Sequence, residues 1–145
     1  MSFVFIKKQY FFIYLKIHQV HCCGSLADLI IEKCLKSKAS ILISPCCYGS
    51  IKSTEYYTYP RSQIFKSSIE KLQENKDFYS KLKSYADRTE KDIEYEKNAY
   101  LCMSLIDSDR LLYLKENNYN FLQLGKMVPE NCSTKNHLLL AKISI

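Results

Sequence analysis

Two short runs concentrate the side chains that can do chemistry. His21-Cys22-Cys23-Gly24 and Pro45-Cys46-Cys47-Tyr48-Gly49 bring four thiols, an imidazole and a phenol into a few residues. Three chemistries compete for them. Backbone groups, cysteines and Tyr48 can line half of a nucleotide-like cofactor pocket. Alternatively, Cys23, Cys46, Cys47 and His21 offer sulfur and nitrogen ligands of the kind that zinc takes tetrahedrally. Adjacent Cys pairs do not replace the CxxC spacing of a zinc finger, so no metal site is assigned. Thirdly, the thiols serve as small buried hydrophobes, the commonest fate of a free cysteine. A Cys nucleophile is disfavoured because nothing adjacent fixes a base.

Other polar residues have structural readings. Asp28 lies where a helix N-terminus stabilises an acid, and a pocket role competes evenly with that one. Asp107, Asp109 and Arg110 read as local ion pairs on a solvated helix. Arg61, between Pro60 and Ser62, reads as a loop arginine able to reach an anion. His137 opens an apolar strand and reads as structural.

The elements that would position these groups follow from the hydrophobic pattern. Ile13 to Val20 is β-rich and apolar, and Gly24 permits a sharp turn after it. Ser25 and Asp28 form a capping-box arrangement. Leu26, Leu29, Ile30 and Cys34 then follow helical spacing. Ser40 to Ser44 is a short apolar run that suits a strand covered on both faces, with Pro45 as its stop. Strand, helix and strand make a right-handed βαβ unit. Ligands of such sheets bind beyond the carboxyl ends of the strands, where both clusters fall.

Beyond the polar loop Ile51 to Pro60, Ser62 caps a helix carrying Phe65, Ile69 and Leu72, which Asn75 breaks. Phe78, Leu82 and Tyr85 mark a second helical face. A longer helix is predicted from roughly Lys91 to Asn117, with a break near Ser108. Tyr119 to Val128 and His137 to Ile145 close the chain as antiparallel strands around the loop Pro129 to Asn136.

The totals set the bounds. The chain has 145 residues, 47% of them hydrophobic, enough for one domain with a buried core. Three glycines and three prolines disfavour a turn-rich β-sandwich. An odd count of seven cysteines, two pairs of them adjacent, does not resemble a secreted disulfide framework and fits reduced thiols in the cytoplasm. No run approaches the roughly 20 apolar residues of a membrane helix, so no membrane partner is expected. The net charge of +6 gives weak support for RNA as a partner, because the basic residues are dispersed.

From Val20 to Ser144 the chain carries ordered segments that resemble a known family. HCCGSLADL, SPCCYG, YPRSQIF, LCMSLIDSDR and PENCSTKN are similar, in this order, to the methyltransferase-like domain of the glutathione S-transferase C-terminal domain-containing protein family. A related first segment, also paired with a later Cys-Cys, occurs in a tRNA ribose methyltransferase family. The resemblance implies residues 20–145 as the C-terminal half of a class I methyltransferase domain, with residues 1–19 a divergent segment leading into a strand. The implied fold is α/β, Rossmann-like and three-layered, with a mixed sheet of about four strands.

The implied cofactor is S-adenosylmethionine. The resemblance places His21 and Asp28 as catalytic candidates on the acceptor side. It places Cys23, Gly24, Pro45, Cys46, Cys47 and Tyr48 on the cofactor side. Ala27 and Ser44 depart from the family's Thr and Cys, and Cys22 replaces a small Ala. None of the three glycines, Gly24, Gly49 and Gly125, forms the GxG of a cofactor loop. The expectation is therefore a fragment without the cofactor-binding first half, with an open sheet edge that invites self-association.

Overall fold

The computed structural model describes residues 16–71, 77–89 and 93–143. They form a mixed sheet of four strands with four α-helices. Strand β1 (Lys16–Cys23) leads through Gly24 into helix α1 (Leu26–Ser37), then strand β2 (Ser40–Cys46) and a 3-10 turn at Tyr48–Ser50. Helices α2 (Gln63–Lys71), α3 (Phe78–Ala86) and α4 (Ile93–Glu116) follow. Strands β3 (Phe121–Lys126) and β4 (His137–Lys142) close the sheet. The strand order is β1-β2-β4-β3, so β1 and β3 lie at its edges.

The predicted βαβ unit is present: β1 and β2 are parallel, joined by α1. The closing pair is antiparallel, and β4 also runs antiparallel to β2. The α/β class and the mixed four-stranded sheet agree with the expectation. The start of the first predicted strand, Ile13 to Leu15, lies outside the described residues, as do Leu72 and Asn75.

Several local expectations are corrected. Pro45 does not stop β2. The pairing of β1 and β2 shifts register between Gln19 and Cys22, and Pro45 pairs with Cys22 directly after that bulge. Proline enters strands where a ladder bond is already lost. Helix α4 runs unbroken through Ser108. Ser25 does not cap α1: its backbone is helical, and its hydroxyl instead accepts from Lys52 N at 2.8 Å and donates to Lys52 O at 3.0 Å. Ser62 does cap α2, accepting from Phe65 N at 3.1 Å. The Glu116 carboxylate accepts from Gln63 N and Ile64 N, both at 3.0 Å, which places negative charge at the helix N-terminus.

One apolar cluster binds the helices to the sheet. Ala27, Ile31 and Cys34 of α1 pack with Leu114 of α4 against Ile41, Ile43, Leu139 and Ala141. Fully burying a side chain such as Ile31, Ile43 or Leu139 is worth roughly 1.5–3 kcal/mol. The Tyr119 hydroxyl ties the start of β3 to this cluster by donating to Ala39 O at 2.6 Å. A second cluster joins Tyr48 and Ile51 to α3 and to Met103 and Ile106 of α4.

Both α1 and α4 therefore cover the same face of the sheet. The opposite face is set by strand alternation and register. Leu42 pairs with Leu140, Leu140 with Gln123, Leu138 with Gly125, and Lys142 with Phe121. Leu42, Leu138 and Leu140 are half-buried and belong to neither apolar cluster, while Phe121 is 47% exposed. Among the described residues α1 and α4 pack on one face of the sheet, α2 and α3 pack on α4, and the other face, where a third layer was expected, carries no helix.

Candidate thiol rim and the buried charge network beneath it

The two cysteine clusters do share one rim, because parallel register sets Cys23 beside Cys46 at the carboxyl ends of β1 and β2. Their sulfurs are 3.3 Å apart. Cys47 follows in the left-handed conformation, φ 51°. That turn brings its sulfur to 3.8 Å from that of Cys46. All three sulfurs lie within 4.8 Å of one another. Cys46 is buried, Cys47 half-buried and Cys23 exposed. Burial and the neighbouring thiols push the Cys46 thiol well above its ordinary range. Cys47 is also raised, first by its hydrogen bond to Cys23 and then by burial. Cys22 points elsewhere: it is buried, its thiol donates to Gln19 O at 3.5 Å, and burial pushes it up to about 11.

Gly24 locks the rim. Its φ is +53°, and its N–H donates to Cys46 O at 3.0 Å. A Cβ there would lie 2.9 Å from Ser50 O. Left-handed backbone costs an L-residue about 1–2 kcal/mol before any clash. Gly24→Ala is therefore expected to lower stability by about 2–3 kcal/mol in urea unfolding. Wild-type stability in that variant would show that the turn relaxes freely.

The remaining residues singled out in the sequence are dispersed. His21 is exposed at the bulge, with φ 61°, and is not among the groups that converge on the thiols. Pro45 is buried within β2. Tyr48 is fully buried, and its hydroxyl donates to Asp107 Oδ2 at 2.7 Å, so its ring is closed to a stacking ligand. Gly49 borders a shallow cleft of about 290 Å³ with Ser80, Lys83, Ser84 and Asp87, and its N–H donates to Asp87 Oδ2 at 2.7 Å.

Asp28 belongs to a buried charge network. Arg110 donates to it twice, from Nη2 to Oδ2 at 2.7 Å and from Nε to Oδ1 at 3.2 Å. Tyr59 OH adds a third bond at 2.7 Å. Arg110 Nη1 also donates to Asp107 Oδ1 at 3.0 Å. Asp107 Oδ2 meets His137 Nδ1 at 2.9 Å. Asp109 accepts from Arg61 N at 2.7 Å, Ser62 N at 2.9 Å, Ser62 Oγ at 2.8 Å and Tyr79 OH at 3.2 Å. Burial raises the Asp109 carboxyl, opposed by those hydrogen bonds.

These placements overturn the solvated-helix reading of Asp107, Asp109 and Arg110, all of which are fully buried. Arg61 is buried as well, pairing with Glu32 and stacking 4.3 Å over the Tyr113 ring. The network links α1, the Tyr59–Ser62 segment, α3, α4 and β4. Its chemistry is cohesive: it has no exposed member among Asp28, Asp107, Asp109 and Arg110.

A mouse protein named glutathione S-transferase C-terminal domain-containing protein is 33% identical over 123 residues, 83% of this chain and 18% of its own length. A homologue of that name from Drosophila melanogaster is 34% identical over 129 residues, 85% of the chain and 21% of its own length. A Xenopus laevis protein of the same name is 34% identical over 123 residues, 83% of the chain and 19% of its length. The chain thus spans about a fifth of the length of the curated relatives it matches. No family model and no solved structure matches it.

These findings agree with the family name met in the sequence but correct the activity attached to it. The relatives' names refer to a glutathione S-transferase C-terminal domain, and none refers to methyl transfer or S-adenosylmethionine. The methyltransferase assignment and its cofactor are withdrawn on that ground. Among the described residues, no helix is long and apolar enough to cross a membrane. The chain is similar over most of its length to one segment, a fifth long, of proteins named for a glutathione S-transferase C-terminal domain.

Proposed function

We propose that this chain is a packing module whose open sheet face receives an amphipathic helical layer from another polypeptide segment. The observation that carries this reading is the ladder of half-buried Leu42, Leu138 and Leu140 beside the exposed Phe121, a face that carries no helix among the described residues. All-parallel sheets are found almost only with both faces covered, β1 and β2 form the parallel part of this mixed sheet, and contiguous apolar patches mark interaction sites. A helical layer there would complete a three-layer α/β sandwich of the doubly wound kind. Helices suit the face because strand alternation leaves apolar rows flanked by Gln123 and Lys142, a polar rim for the solvent side of a helix. In the mouse relative more than four-fifths of the polypeptide lies outside the matched stretch, so such a segment has an evident source there.

The reading separates the two sheet faces by experiment. Glutamate at both Leu138 and Leu140 should cut the fluorescence of a bound apolar dye several-fold while shifting the urea midpoint little. Leu139→Ala, on the covered face, should instead cost about 2–5 kcal/mol. Equal destabilisation by both changes would show that the second face is already packed, and would end the proposal. Sedimentation across a concentration series tests the competing occupant, a second copy paired on this face or along the β1 edge. A dimer that the glutamates dissolve would replace the helical layer with self-association.

A further inference from the structure

We propose that Cys23, Cys46 and Cys47 form a binding site for a soft, thiophilic metal ion. The site is independent of the open sheet face. Thiolates select zinc and copper(I) among the biological cations. A Zn–S bond of about 2.3 Å requires sulfurs about 3.8 Å apart in a tetrahedron. The Cys46–Cys47 separation is 3.8 Å, and Cys23–Cys46 is 3.3 Å. Seating an ion therefore opens one pair by about half an ångström. Closing the same pair to a disulfide of about 2.05 Å would require a shift more than twice as large.

The scaffold favours this arrangement without adjacent CxxC spacing. One ligand comes from β1, a second from its register partner on β2, and the third from the left-handed residue that follows. Gly24 N–H holds Cys46 O, so the strand ends cannot part easily. Binding releases the thiol protons to solvent as metal–sulfur bonds form. Cys23 is exposed, so the ion is reached from solvent through that side. With three protein sulfurs, zinc would keep one position for water, as open three-ligand zinc sites do. Copper(I) needs no fourth ligand.

The test uses the full chain under a non-thiol reductant. Zinc is titrated against a chromophoric chelator in one arm, and copper(I) against a copper(I)-specific chelator in the other. The expected result is one ion per chain in at least one arm. Cys23→Ser and Cys47→Ser, at exposed and half-buried positions, should each weaken binding at least tenfold. Cys132→Ser, exposed on the β3–β4 connection and not among the converging sulfurs, should leave it unchanged. Circular dichroism melts establish that each variant is folded, which keeps the comparison decisive without the buried Cys46. Cobalt(II) absorption then reports sulfur coordination directly. The proposal is overturned by less than a tenth of an ion per chain in both arms. It is equally overturned if Cys23→Ser and Cys47→Ser bind as the wild type does, or if Cys132→Ser loses as much as they do.

Discussion

Arg110→Met is expected to destabilise the protein by about 3–5 kcal/mol, measured by urea unfolding. The cause is what it leaves behind. Arg110 is fully buried and holds Asp28 through two nitrogens and Asp107 through a third. Without it, of basic partners, Asp28 keeps only the 3.7 Å approach of Arg61 Nε and Asp107 only its contact with His137, both in a dry interior. Arg110→Lys should recover only part of the loss, because a single ammonium cannot match three directed bonds. Full recovery by lysine would mean that charge, not the forked geometry, holds α1 to α4. The attraction within such a network does not make it more stable than an apolar core would be. Its consequence is specific pairing: five segments meet at one set of complementary charges.

Asp109→Ala should cost about 3 kcal/mol and act locally as well. It strands four donors at once: two backbone N–H groups, the Ser62 hydroxyl and the Tyr79 hydroxyl. The Arg61–Ser62 backbone should lose its anchor, and with it the capped start of α2. Hydrogen exchange at the Arg61 and Ser62 amides is the direct readout, with protection falling far more there than in β2 or β4. Undiminished protection at those two amides would show that the Glu116 bonds to Gln63 and Ile64 suffice.

Much of the fold was legible because it is written locally. The apolar run from Ser40 and the helical spacing of Leu26 to Cys34 identify the βαβ unit without long-range knowledge. The turn between β3 and β4 likewise marks an antiparallel pair. The polar centre was not legible for the opposite reason. Asp107, Asp109 and Arg110 look solvated until Asp28 and Arg61 arrive from distant parts of the chain. One signal was available: their acids and arginine are flanked on both sides by apolar helix, Met103 to Ile106 and Leu111 to Leu114. Tyr48 was misleading in a similar way, since its phenol is spent on Asp107. The thiol rim was half legible. The clusters fall at strand ends as expected, but only the register and the φ of Cys47 show that three sulfurs meet while His21 stands apart.

Charges bind the helices among themselves and to one side of the sheet, leaving Leu138 and Leu140 half-buried on the other. The most direct measurement is photocross-linking from a benzophenone amino acid at position 140 in cells producing the protein, with the cross-linked peptide sequenced. A helical layer predicts cross-links to a polypeptide segment outside this chain, with apolar residues spaced three and four apart at the attachment point. Cross-links confined to this chain's own residues, or to a second copy of it, would contradict the account.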